Sequence, residues 1–280
     1  MTINREKDFL SSISASSRVV VASDQHLGYV NSQVDCFLAF LDSISKRSDV
    51  GWLIILGDWV DMWRRDAAGL FLEFRQSVEK LLALSSSINV VVVAGNHDYH
   101  ELMLEGSTYG FQFLKDYTIE SGGTNYIFKH GWEFDYAQQP VLMELLCHNY
   151  SNTEGADLSK LWTDTTNFPT DLKDLIEFHE SPEGLTKHLM QPPEQRLQPY
   201  LGDVEKRAFS SIGLGEKLVF GHTHRPFVSS DGRVANSGSW VTDAVYHNTY
   251  VELDGQTMTL FSIDADQNVA ELQLIEKPPS

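Results

Sequence analysis

Short uninterrupted apolar runs alternate along this chain with segments whose apolar residues recur at helical spacing. Arg18-Val19-Val20-Val21-Ala22, Trp52-Leu53-Ile54-Ile55-Leu56 and Val90-Val91-Val92-Val93-Ala94 are runs of strand length without a polar face. Such runs predict strands buried on both sides. Between the first two, Val34, Phe37, Leu38, Leu41 and Ile44 mark one face of a helix that Asn31 or Ser32 can cap. Between the second and third, Leu70, Phe74, Val78, Leu81 and Leu82 mark another. Strands separated by helices in this order predict an α/β fold with parallel pairing.

The second half has a different rhythm. Strand-like pieces at residues 125–129 and 217–220 are followed by four more, at 233–240, 249–253, 257–263 and 270–275, with turn residues such as Asp254-Gly255 between them. These predict a second, antiparallel sheet. Between the first two pieces lies a long acidic, proline-containing stretch with helical segments at 140–150 and 172–179. The expected organisation is one catalytic domain, residues 1–131 and 216–280, with an inserted and mainly helical cap at 132–215.

Composition narrows the possibilities. A chain of 280 residues with 42% hydrophobic content can bury a substantial core. Lys and Arg total 21 against 39 Asp and Glu, and the net charge of -18 repels polyanions, which disfavours nucleic acid as a partner. Cys36 and Cys147 stand far apart with no C-x-x-C pairing, which argues against thiolate metal ligation and predicts buried, inert thiols. The polar start and the lack of any transmembrane-length apolar run predict a soluble, cytoplasmic protein. Oligomeric state leaves no trace in the sequence.

The chemistry lies where the strands stop. Asp24-Gln25-His26, Gly57-Asp58, Gly95-Asn96-His97-Asp98, His130-Gly131 and Gly221-His222-Thr223-His224 each follow a predicted strand. Taken singly they are weak signals, since Asp, Asn, His and Gly also serve as caps and turns. In Gly221-His222-Thr223-His224, alternation on an extended chain would place both imidazoles on one side. Jointly they are specific: five of the ten histidines, His26, His97, His130, His222 and His224, fall inside the set. Ligands of parallel α/β proteins gather at such strand ends, and the set has enough oxygen and imidazole donors for two divalent cations.

The order D-x-H, G-D-x-x-D, G-N-H-D, H-G and G-H-x-H resembles the calcineurin-like metallophosphoesterase superfamily from Ser23 to His224. That resemblance implies a four-layer αββα sandwich of two mixed sheets. It also implies that Asp24, His26, Asp58 and His224 hold one metal, and Asp58, Asn96, His130 and His222 the other, with Asp58 between them. Mn is the usual metal of such enzymes, with Fe or Zn as alternatives. The implied activity is two-metal phosphoester hydrolysis by an activated water. His97 would be the general acid, oriented by Asp61 or, as a rival, by Asp98.

Within the superfamily, Asp24 to Gly28, Trp63, Gly221 to Pro226 and Asn236 to Trp240 look similar to UDP-2,3-diacylglucosamine hydrolases and related phosphoesterases. Those hydrolases typically carry arginine where this chain has His97. Met62 stands where the protein phosphatases have an arginine, which argues against a phosphoprotein substrate. Arg64 and Arg65 can reach a substrate phosphate. His100, His148, His179, His188 and His247 are expected to be structural. The resulting expectation is a hydrolase of a small phosphodiester or pyrophosphate, possible substrates including a nucleotide conjugate. Its alternatives are a nuclease like that of the double-strand-break repair complex, which shares the start Asp24 to Tyr29, or a non-catalytic scaffold on the same fold.

Overall fold

The computed structural model describes residues 17–103, 110, 112–121, 123–134 and 193–276. The helices expected at 140–150 and 172–179 lie outside the described residues, as do Cys147, His148, His179 and His188.

β1 (Arg18–Ala22), β2 (Val50–Leu56), β3 (Asn89–Val93) and β4 (Gln112–Leu114) run parallel in that order. β10 (Thr249–Asp254) adds antiparallel to the free side of β1, followed by β11 (Thr257–Ile263) and β12 (Val269–Leu272), which makes a mixed sheet of seven strands. The second sheet has six, in the order β13 (Ile275–Glu276), β8 (Phe227–Ser229), β9 (Val234–Asn236), β7 (Glu216–Phe220), β6 (Thr124–Phe128) and β5 (Tyr117–Ser121). It is mixed as well, since β6, β7 and β9 pair in parallel. The C-terminal pieces therefore do not form an antiparallel sheet of their own. Most complete the first sheet, because the β1 edge would otherwise leave its backbone groups unpaired.

The continuous apolar runs follow from burial on two faces. Val19, Val21, Ile54, Leu56, Val91 and Val93 point between the sheets and meet Tyr126, Phe128, Val219 and Ala235. Their neighbours Val20, Ala22, Leu53, Ile55, Val90 and Val92 point the other way, against helices. On the far side, Leu218, Phe220 and Val234 meet Val204 and Ala208 of α4 (Pro193–Ser210). Helix, sheet, sheet and helix are thus four layers. Each fully buried aliphatic side chain contributes roughly 1.5–3 kcal/mol, so a one-residue register slip in any central strand would be prohibitive.

α1 (Val34–Ser45) buries Cys36, Phe37, Ala39, Phe40, Leu41 and Ile44. Its start lacks the expected side-chain cap: Gln33 occupies the capping position and its side chain makes no capping bond. Asn31 donates instead to Asp243, and Ser32 donates to the Gln25 carbonyl at 2.8 Å, so both are committed to the loop beside the first cluster. The helix expected through Leu70 and Leu82 is two helices, α2 (Ala67–Glu73) and α3 (Arg75–Ser85), with Phe74 at the break. The break re-phases the chain: Leu81 and Leu84 turn inward and Leu82 is left 40% exposed. Among the described residues no helix is long and apolar enough to cross a membrane.

Glu205 on α4 pairs with Arg225 at 3.3 Å, which ties the outer helix to the loop carrying the last histidines. Burial pushes its carboxyl up to about 7, Arg225 opposing and Glu276 assisting. Because the folded state raises this pKa, its stabilising contribution is complete below the unfolded value and is lost as pH rises through about 7. Glu205→Gln is therefore expected to gain thermal stability relative to the parent between pH 5 and pH 8. Parallel melting-temperature profiles for the two proteins would refute this.

Candidate metal centre

Five strand ends build the site. β1 delivers Asp24 and His26, β2 delivers Asp58, β3 delivers Asn96 and His97, β6 delivers His130, and β7 delivers His222 and His224. Gly221 N donates to the His130 carbonyl at 2.8 Å, extending the pairing of β6 with β7, and His222 N donates across to Asp24 Oδ2 of the other sheet at 2.9 Å. Asp24, His26, Asp58, Asn96, His97 and His130 are all buried.

The donor atoms converge. Asp24 Oδ1 lies 3.2 Å from His224 Nε2, 3.8 Å from His130 Nε2 and 3.9 Å from His26 Nε2. Asp58 Oδ2 lies 3.3 Å from His130 Nε2, 3.7 Å from His26 Nε2 and 4.0 Å from His97 Nε2. Three groups have donor atoms close enough to share an ion: Asp24 with His26 and His224, Asp24 with Asp58 and His130, and His26 with Asp58 and His97. Asp24 Oδ1, Asn96 Oδ1 and His130 Nε2 are buried without a hydrogen bond among the described residues. Buried polar atoms left in that state cost free energy unless something else satisfies them, and these residues fit divalent cations. The half-buried His222 ring stands beside His130, with centroids 5.2 Å apart.

Hydrogen bonds behind these side chains choose the tautomers. His130 Nδ1 donates to the Leu56 carbonyl at 2.8 Å, and His26 Nδ1 bonds Asp61 Oδ2 at 3.2 Å, so both rings turn Nε2 toward the site. Asp61 Oδ1 holds His97 Nδ1 at 3.0 Å, and its other oxygen also receives Arg64. Asp98, the rival partner for His97, is occupied elsewhere: it accepts from Gly95 N at 2.6 Å and Trp59 N at 2.8 Å. Arg64 lies against Asp61, with its guanidinium 4.3 Å above the Tyr29 ring, while Arg65 pairs with Glu73 at the surface.

Electrostatics follow from burying alternating charges together. Burial alone raises the Asp58 carboxyl, yet His130, His97 and His26 hold it well below the usual carboxylate range. Asp24 and Asp61 are lowered in the same way, against their own desolvation, by the imidazoles around them. His130 and His26 are raised: burial opposes their charge, and the carboxylates of Asp58, Asp24 and Asp61 overcome it. For His97 burial prevails and its pKa is lowered. Burial and the Asp58 charge push Asp98 up to about 7.

The backbone carries a signature that side-chain identity hides. Asp24, His26, Asp58, His222 and His224 all have positive φ, between 47° and 65°, a region that costs a non-glycine residue roughly 1–3 kcal/mol. The extended alternation expected for His222 and His224 is therefore replaced by left-handed turns, which bring each residue off its strand end. Glycines make the approach possible. A Cβ on Gly95 would overlap Asp58 Oδ1, and one on Gly221 would overlap Asp24 Oδ2. Asn236 braces the last loop, donating to the Gly221 carbonyl at 2.7 Å and to Thr223 Oγ1 at 3.0 Å.

The sequence profile of the calcineurin-like phosphoesterase family matches residues 17–226. No curated protein matches. Among solved structures, the chain is similar to the phosphoesterase Yfce from E. coli, at 16% identity over 92% of this chain and 99% of that one, with a TM-score of 0.44. It is also similar to a dimetal phosphatase from Danio rerio, at 12% identity over 88% and 98% of the two chains and a TM-score of 0.41. The nuclease MPE from Pseudomonas putida matches at 15% identity over 90% and 86%, with a TM-score of 0.39. With the profile spanning most of the chain and donor groups gathered at the strand ends, the chain belongs to the calcineurin-like phosphoesterase family and is a metal-dependent phosphoester hydrolase.

Proposed function

We propose that this enzyme hydrolyses a small phosphodiester or pyrophosphate, a nucleotide conjugate being one such substrate, at a centre of two cations. Asp24, His26, Asp58 and His224 would hold one, and Asp58, Asn96, His130 and His222 the other. The observation that carries this reading is the gathering of Asp24, Asp58 and His130, whose donor atoms lie close enough to share an ion while Asp24 Oδ1 and His130 Nε2, like Asn96 Oδ1, are buried without a hydrogen bond among the described residues. Mixed carboxylate, amide and imidazole donors suit Mn, Fe or Zn, with Mn preferred. Such ions would neutralise the non-bridging phosphate oxygens and supply a water acidic enough to attack near neutral pH.

The chain's own residues do the rest. His97, its Nδ1 tied to Asp61, presents Nε2 to the departing oxygen and, in its protonated imidazolium form, would give it the Nε2 proton, which prevents the build-up of charge on the leaving group. Asp61 fixes the tautomers of both His97 and His26, and Arg64 neutralises part of its charge. Because α4 packs on the second sheet as its outer layer, we assign the role of substrate selection to the 135–192 part of the inserted 132–215 segment. Its insertion between His130 and His222, two of the proposed ligands, supports that role. The net charge of -18 is in keeping with a cytoplasmic enzyme that acts on small molecules rather than on nucleic acid.

The test is a metal analysis joined to a substrate panel with Mn, Fe or Zn added. A bis-aryl phosphodiester, nucleoside-diphosphate conjugates, simple monoesters and DNA would be compared. Cation-dependent turnover of the diester or the conjugates is expected. Turnover of monoesters alone would overturn the substrate class, DNA degradation would favour a nuclease, and a protein that binds no metal would favour a scaffold.

A further inference from the structure

We infer that Trp63 is a positioning residue for the proton donor: its indole face sets the plane of the His97 ring so that Nε2 points into the site. This rests on the reading of His97 as that donor. The two rings are stacked, with centroids 3.9 Å apart and planes 23° from parallel. On another side the His26 ring meets His97 edge-on, at 4.8 Å and 88°. The bond from Asp61 to Nδ1 fixes one corner of the imidazole, but rotation about the last side-chain torsion of histidine has broad minima. A flat partner pressed on the ring face removes that freedom.

The local chain is arranged for this purpose. Arg64 N and Arg65 N both donate to the Asp61 carbonyl, at 3.2 and 3.1 Å, so Asp61 and Trp63 ride on one closed turn. The same turn returns Arg64 to the Asp61 carboxylate. One short segment therefore holds His97 by its edge and by its face. Packing within the apolar clusters of the described residues does not account for Trp63. Its neighbours Trp59, Val60 and Met62 enter the core beneath α2 and α3, whereas Trp63 joins none of the apolar clusters of the described residues. It is nonetheless only 7% exposed, as is His97, so the stack also shields that face of the imidazole from water.

The test compares Trp63→Leu, which keeps apolar bulk but loses the flat face, with Trp63→Phe, which keeps a flat face. Trp63→Leu is expected to lose about 10-fold in kcat, the scale of a small misplacement of a reacting group, with KM and metal content unchanged. Trp63→Phe should recover most of that loss. In a His97→Ala background, Trp63→Leu should change kcat no further, because the two residues act as a unit. An equal loss in both backgrounds, a change confined to KM or metal content, or a Phe variant as impaired as the Leu variant would overturn the inference. If His97→Ala itself retains full turnover, the proton-donor reading fails and this inference with it. Melting temperatures confirm folding, and Trp63→Met replaces the Leu variant if that one is unfolded.

Discussion

His97→Ala is expected to bind metal as the parent does and to lose about 10²–10⁴-fold in kcat, the range that a positioned general acid supplies. The geometry gives the reason. His97 Nδ1 is committed to Asp61 at 3.0 Å, and Nε2 lies 4.0 Å from Asp58 Oδ2, facing the site without closing on it. The loss should depend on the substrate. An aryl oxide leaves without a proton, so a nitrophenyl ester should suffer little. An alkoxide leaving group should show the full effect. His97 also lies close enough to His26 and Asp58 to share an ion with them. Metal content therefore decides between two roles: a fall in parallel with activity, whatever the leaving group, would make His97 a ligand and remove it as proton donor.

Asp58→Asn is expected to lose more than about 100-fold in metal affinity, beyond the usual effect of deleting a supporting partner behind a ligand. The substitution keeps the side chain's shape and the acceptor for His97 N, which donates to Asp58 Oδ1 at 2.8 Å. What it removes is the charge that faces His130, His26 and His97 from one oxygen. Thermal unfolding reads the result directly. In the parent, a cation at 100 times its dissociation constant adds about 2.7 kcal/mol to stability per site. In the variant, the melting temperature should no longer respond to the metal.

The chelated parent has its own pH dependence. His26 and His130 have raised pKa values in the folded state, so the stability they contribute is present below about 6.5 and is lost as pH rises through their folded values. Asp24 and Asp58 are lowered, so their contribution is present above about 4 and is lost as pH falls through the lowered values. The metal-free protein should therefore be most stable in mildly acid solution. Metal binding needs neutral imidazoles, so the stabilisation by added cation should grow as pH rises. A melting temperature of the chelated protein that climbs from pH 6 to pH 8 would contradict this account.

The strands and the polar clusters at their ends were legible for the same reason. Val19 to Ala22, Leu53 to Leu56 and Val90 to Val93 are each buried on two faces, which requires continuous apolar sequence, and the polar clusters begin where that burial ends. Periodicity failed where tertiary contacts reset it. Phe74 breaks a helix that Leu70, Val78 and Leu82 predict as one, and nothing in their spacing reveals the change of phase. The destination of β10 to β12 was also hidden, since strand pairing depends on which edge lies open. The left-handed turns at His222 and His224 replace the extended alternation, because β7 ends at Phe220 and the chain turns before either histidine is reached. Trp63 carried no signal for its role, as a stack on an imidazole leaves no mark on spacing or composition.

The absent side chains at Gly95 and Gly221 have a wider consequence. The space each leaves is filled from a different cluster, by Asp58 and by Asp24 respectively. The five short strings thus behave like the pieces of one lock, cut to one another's outline although they are distant along the chain. None can drift alone. Alanine at position 95 would be felt first as damage to the β2 cluster, and its repair would have to come from there. Strings too common to mean anything singly therefore act together, and their meaning lies in the set.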